Sequence, residues 1–126
     1  MKYRYYWNEK KDEQGRNISM LDGYTPGDPL CLAYESEVTY DNCEFMAAAE
    51  YLFYQFNSDD LRPVDYRGPS MSVGSVIEFD DNILGLPGKK TALACDVFGF
   101  IQVDISQSRI VPTDPRWKGV AHASNH

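Results

Sequence analysis

The sequence predicts an α+β domain: a mostly antiparallel sheet with one main helix packed on one face. Three observations point there. Segments with β-favouring alternation occur towards both ends of the 126-residue chain, one long stretch between them has helical periodicity, and clusters of Gly, Pro, Asp and Asn separate the two. The length suits one domain with a core of its own, expected over residues 1–105, with an irregular tail over 106–126.

The first element is "KYRYYWN". Tyr3, Tyr5 and Trp7 fall on one face and Lys2, Arg4 and Tyr6 on the other, the period of a strand. "EKKDEQGR" is a polar turn containing Gly15, and "NISML" is expected to return as the second strand of a hairpin. "DGYTPGDP" (22–29) is dense in turn residues and reads as a loop, after which "LCLAYESEV" (30–38) reads as a strand.

The helix comes next. Asp41 is placed as its N-cap, and Glu44 three residues on completes a capping-box pattern. At 100° per residue, Phe45, Met46, Ala49, Leu52, Phe53 and Phe56 share an arc of roughly 120°, the expected core face. Ala47, Tyr51 and Tyr54 lie opposite, with Glu50 alongside. "NSDDLRPVDYRGP" (57–69) ends the helix, Pro63 and Pro69 stopping regular structure.

In "SMSVGSVIEF", Val73, Ile77 and Phe79 share one side of a strand, and Gly74 permits a bend or a close crossing. "DDNILGLPGKK" (80–90) reads as a hairpin loop and "TALACDVFGFIQVD" (91–104) as the strand after it. There Leu93, Cys95, Val97, Ile101 and Val103 share a face, Phe98 and Phe100 point the other way, and Gly99 suggests a bulge. Pro112, Pro115 and a lone Trp117 mark the tail, which the Trp could dock.

Composition narrows the function. Net charge is -7, and no Lys or Arg lies between Arg16 and Arg62, a stretch holding nine acids. That field repels nucleic-acid backbones and attracts basic surfaces, although -7 is modest for a full mimic of DNA. The basic residues Lys2, Arg4, Lys10, Lys11 and Arg16 interleave with tyrosines but also with Glu9, Asp12 and Glu13, so direct nucleic-acid binding is not expected. The three cysteines, Cys31, Cys43 and Cys95, form neither a Cys-x-x-Cys motif nor an even set, and no apolar run reaches the ~18 residues of a membrane span. With no leader pattern at the start, a bacterial cytoplasm is the expected compartment.

Catalytic constellations are missing. His122 and His126, the only histidines, sit in the final five residues, so neither a His-based triad nor a His/Cys metal cluster is expected. "GLPGKKT" (85–91) lacks the first Gly of a phosphate loop, Ile83 standing there, and reads as a turn. The acid pairs Asp59-Asp60 and Asp80-Asp81 read as solvent-facing, with no EF-hand spacing. No enzyme activity, cofactor or metal is expected.

"RGPSMSVGSVIEF", followed downstream by "VFGFIQVD", resembles the YodL-like domain of small accessory proteins carried by phages and plasmids, particularly of actinobacteria. "DGYTPGDPLCLAYESEV" and the following helix share the resemblance, so it spans about residues 20–104. Ser75 departs from it, since those proteins tend to carry Asp there. The resemblance implies a mobile-element origin more than a mechanism.

The expected function is therefore non-enzymatic: binding and inhibition of a host protein with a basic surface, of the anti-defence kind (anti-CRISPR or anti-restriction). Glu44, Glu50, Tyr51, Tyr54, Asp59 and Asp60 would form the acidic, tyrosine-bearing contact surface. The alternative, from a different class, is a nucleotide or small-molecule sponge or sensor, with Phe98, Phe100 and the 80–90 loop forming an aromatic pocket.

Overall fold

A computed structural model describes residues 1–41, 44–81 and 89–118. The elements are β1 (Lys2–Asn8), α1 (Ser19–Asp22), β2 (Leu30–Glu37), α2 (Phe45–Phe56), β3 (Val76–Asp81), β4 (Lys89–Asp96), β5 (Gly99–Val103) and β6 (Ile110–Val111), then a 3-10 turn over Pro115–Trp117. The strands form one sheet in the order β5-β4-β3-β1-β2-β6, antiparallel except where β6 runs parallel to β2. The α+β architecture with one main helix therefore stands, on a mixed sheet. Among the described residues no helix is long and apolar enough to cross a membrane.

β1 is central because both its faces are apolar enough to cover. Tyr3 and Tyr5 are buried on the α2 side and Tyr6 on the other, among Leu30, Val76, Ala92 and Ala94. Phe56 lies between the two layers. Its ring meets Tyr5 and Tyr66 edge-on, each with centroids 5.1 Å away, and Tyr34 at 5.6 Å. Ala48, Ala49, Leu52 and Phe56 are buried, while Phe45 and Phe53 are partly covered. Met46, expected in the core, is 48% exposed. The buried arc is rotated towards Ala48, whose small side chain lets the helix approach the sheet, and Met46 falls outside it.

Several other expectations are corrected. "NISML" returns only as a single antiparallel bridge, Asn17 to Lys11, and not as a strand: the Asn17 side-chain oxygen accepts from the Ser19 amide at 2.9 Å and the Ser19 hydroxyl at 2.7 Å, turning Ser19–Asp22 into one helical turn. β1 takes β2 and β3 as neighbours instead. The N-cap of α2 is Glu44, not Asp41, and makes no side-chain cap bond; half the capping box remains, the Asp41 amide donating to the Glu44 carboxylate at 3.2 Å. Residues 91–104 are not one strand. Asp96 pairs with Gly99 across the turn Val97-Phe98, so the chain reverses there and Gly99, at φ 127°, follows the turn instead of marking a bulge.

Asp80 and Asp81, and Lys89 and Lys90, belong to paired strands and not to a loop. The rest of the 80–90 segment, with Ile83, lies outside the described residues, as do Cys43, His122 and His126. The tail is not irregular throughout: it supplies β6, and Trp117 packs against the core while its carbonyl accepts from the Arg67 amide at 2.7 Å.

The "RGPSMSVGSVIEF" segment acts as a structural hub. The Pro69 carbonyl accepts from the Tyr66 hydroxyl at 2.6 Å and the Tyr5 hydroxyl at 3.0 Å. Arg62 donates to the Phe56 carbonyl at 3.0 Å and to Ser70, tying the C-terminus of α2 to the motif. Ser75 Oγ accepts from the Ser72 amide at 3.1 Å, a local turn bond that an Asp could also make.

Burial gives the tyrosines a shared titration behaviour. It is the leading cause that raises Tyr3, Tyr5, Tyr34 and Tyr66 well above the ordinary phenol range and pushes Tyr6 up to about 12. A raised native pKa means that above pH ~10 the folded chain holds protons the unfolded chain releases. The associated stability is complete below that pH and is lost as pH rises past it. Fully buried Tyr5 alone should cost up to about 1.4 kcal/mol per pH unit there. Denaturant midpoints should be level from neutrality to about pH 9 and fall steeply above 10, with phenolate absorbance from the buried rings appearing only as the chain unfolds. Early, reversible ionisation of all nine tyrosines would contradict this burial.

Candidate functional site: an acidic groove beside the helix

Residues 38–41, which follow β2, lie beside α2. Two adjoining open depressions, of about 440 and 360 Å³, share Glu37, Val38, Thr39 and Tyr40. Met1, Asp41 and Glu44 complete the first, Tyr51 and Gln55 the second. The floor is anchored by the strand end: the Val38 amide donates to the Met1 carbonyl at 2.9 Å, and the Met1 ammonium donates to the Val38 carbonyl at 2.8 Å. The wall is aromatic, with Tyr40 and Tyr51 tilted against each other at 6.1 Å between centroids.

Glu37, Asp41 and Glu44 are exposed on this groove; among the described residues no Lys or Arg lines it, and the Met1 ammonium in its floor is held by the Val38 carbonyl, so the carboxylates outnumber the cation. Three carboxylates and two phenols on one concave surface suit a cationic protuberance: carboxylates accept from guanidinium forks, and tyrosine rings offer faces to cations. Among the described residues nothing in the groove is a nucleophile beside a base.

The six residues singled out from sequence are not gathered into one surface. Glu44 and Tyr51 flank the groove. Tyr54 is 61% exposed on the outer line of α2. Glu50 lies on the other flank, lining a separate cleft of about 250 Å³ with Phe53, Cys95, Asp96, Val97, Gly99 and Phe100. Asp59 and Asp60 are exposed beyond the far end of α2, roughly 18 Å of helix from Glu44. Glu37, Tyr40 and Asp41 are the groove residues that periodicity missed. Glu37 was visible only as a member of the lysine-free acidic stretch, and Asp41 there and as a capping residue.

Among the described residues Phe98 and Phe100, the two rings of the alternative pocket, do not line one cavity. Phe100 is buried, edge-on to Phe53 at 6.3 Å, whereas Phe98 is 98% exposed at the β4–β5 turn. The ends of the 80–90 segment, Asp81 and Lys89, lie at the opposite end of β4 from Phe98. The cleft beside Phe100 carries Glu50 and Asp96, carboxylates that would face a nucleotide's phosphates. The 470 Å³ depression on the other sheet face mixes Glu78 and Asp104 with Lys90 and has no single sign.

The basic residues of the N-terminal segment are largely committed. Arg4 bridges Glu78 at 2.7 Å, Asp80, and Glu35 at 3.5 Å. Lys10 meets Asp28 at 3.0 Å, and Arg16 meets Asp12 at 2.9 Å. Asp80, expected to face solvent, is thus an internal counter-ion. Burial pushes the Cys31 and Cys95 thiols up, away from nucleophilic thiolates. Among the described residues no three His, Cys, Asp or Glu side chains gather as a metal site.

A family model described as the YodL-like domain matches residues 8–105. No curated protein and no solved structure matches the chain.

Proposed function

We propose that this chain, which belongs to the YodL-like domain family, is a non-enzymatic protein-binding module that covers a basic, nucleic-acid-binding surface of a bacterial host protein. In this reading it serves a phage or another mobile element, and covering that surface blocks a defence activity. The observation that carries the reading is the groove itself: Glu37, Asp41 and Glu44 around the Tyr40–Tyr51 pair, with no lining Lys or Arg among the described residues. Such a surface steers a basic partner electrostatically and then holds it through aromatic contact.

The test is affinity capture from bacterial lysate by the wild-type chain and by the triple variant Glu37→Lys, Asp41→Lys, Glu44→Lys. All three positions are exposed, so the variant should melt within about 1 kcal/mol of wild type. The wild type should retain a protein that salt elutes, and the variant should bind it on the order of 100-fold more weakly. Equal retention by both would remove the groove from the interface, and an empty wild-type column would remove the reading.

A further inference from the structure

β5 ends the sheet, and its outer side is hydrogen-bonded to nothing among the described residues. Which groups it offers follows from its neighbours. The Cys95 amide donates to the Ser75 carbonyl at 2.8 Å, and the Cys95 carbonyl accepts from the Gly74 amide at 2.9 Å, so the backbone of Cys95 faces β3. Antiparallel alternation turns Ala94 and Asp96 towards β5, and their partners Ile101 and Gly99 towards β4. The N–H and C=O groups of Phe100 and Gln102 therefore point outward, unpaired.

Among the described residues nothing guards this edge. "GFIQV" contains no charge and no Pro, the usual devices against strand addition. The opposite edge, β6, is two residues long and is followed by Pro112. Beside the open edge the turn exposes 67% of Val97 and 98% of Phe98, and Ile101 is 48% exposed.

We infer that β5 pairs antiparallel with β5 of a second copy, joining two sheets about a twofold axis at Ile101. The strand is self-complementary in that register. Phe100 meets Gln102 of the second copy twice over, satisfying all the outward backbone groups with four hydrogen bonds. Ile101 meets Ile101 and Gly99 meets Val103, and the exposed Val97 and Phe98 of each turn stand at the end of the pairing. No carboxylate opposes another within the paired strands, since β5 carries no charged residue. For a chain of net charge -7, this neutral edge is where two copies meet without repulsion. The acidic groove lies beyond β1, at the β2 side of the sheet, so the dimer presents two free grooves.

Sedimentation equilibrium of the full chain should give twice the 14.4 kDa monomer mass at tens of micromolar. Ile101→Lys, which sets two ammonium groups face to face, should sediment as a monomer with an unchanged circular-dichroism spectrum. A wild-type monomer at every concentration, or a dimer that survives Ile101→Lys, overturns the inference. Should Ile101→Lys not fold, hydrogen exchange on the wild type decides: the Phe100 and Gln102 amides should slow more than about tenfold as concentration rises, and concentration-independent exchange overturns it. Neither readout involves a host partner, so failure here leaves the proposed function untouched.

Discussion

Gly74→Ala should destabilise the fold by about 2–4 kcal/mol. Two independent costs add. Gly74 has φ 95°, a backbone conformation that L side chains rarely adopt. A Cβ there would also stand 2.8 Å from the Ser19 carbonyl oxygen and 2.9 Å from Ser19 Cβ. The carbonyl is main chain in α1, so relief requires the helical turn to move, and Asn17 holds that turn in place. The Gly74 amide also bonds the Cys95 carbonyl, so displacement in the other direction loosens the β3–β4 junction. Chemical denaturation of the variant measures the sum. A loss under about 0.5 kcal/mol would mean that α1 is not packed on the motif as described.

Phe56→Ala should cost about 3–5 kcal/mol. Phe56 is fully buried and meets Tyr5, Tyr34 and Tyr66 edge-on. Truncation opens a cavity at the junction of helix, sheet and motif. The Tyr5 and Tyr66 hydroxyls, anchored on the Pro69 carbonyl, keep their rings from collapsing into it. Phe56→Leu should recover part of the loss by filling most of the volume. Equal stability of the Ala and Leu variants would place Phe56 outside the core.

These positions show what was legible in the sequence. Strong periodicity was read correctly: the alternation of β1, the β2 run and the α2 arc all form elements where expected. Gly74 was readable as either a bend or a close crossing, the usual meanings of a glycine inside a strand pattern, and the structure makes it the crossing. What crosses it was not readable, because α1 is a four-residue turn made by the Asn17 side chain and shows no period. Residues 91–104 looked continuous because their turn, Val97-Phe98, is made of strand-favouring residues, and only Gly99 betrays it. β6 is too short for any pattern.

The candidate site divides the same way. Its charge was visible in the lysine-free stretch, and Tyr51 was visible on the outer helix face. Its shape was not, because the groove forms where the β2–α2 connection brings Glu37, Tyr40 and Asp41 beside Glu44 and Tyr51. Summing acids along a segment placed Asp59 and Asp60 in the surface, and the straight run of α2 carries them away from it.

The most direct test of the groove's role is a competition. The host protein captured by the wild-type chain is bound to fluorescently labelled nucleic acid, and anisotropy is followed as the chain is added. Displacement at stoichiometric concentration is predicted, with none by the variant reversed at Glu37, Asp41 and Glu44. A ternary complex, in which the nucleic acid stays bound while the chain adds to the host protein, would contradict an acidic surface that occupies the nucleic-acid site.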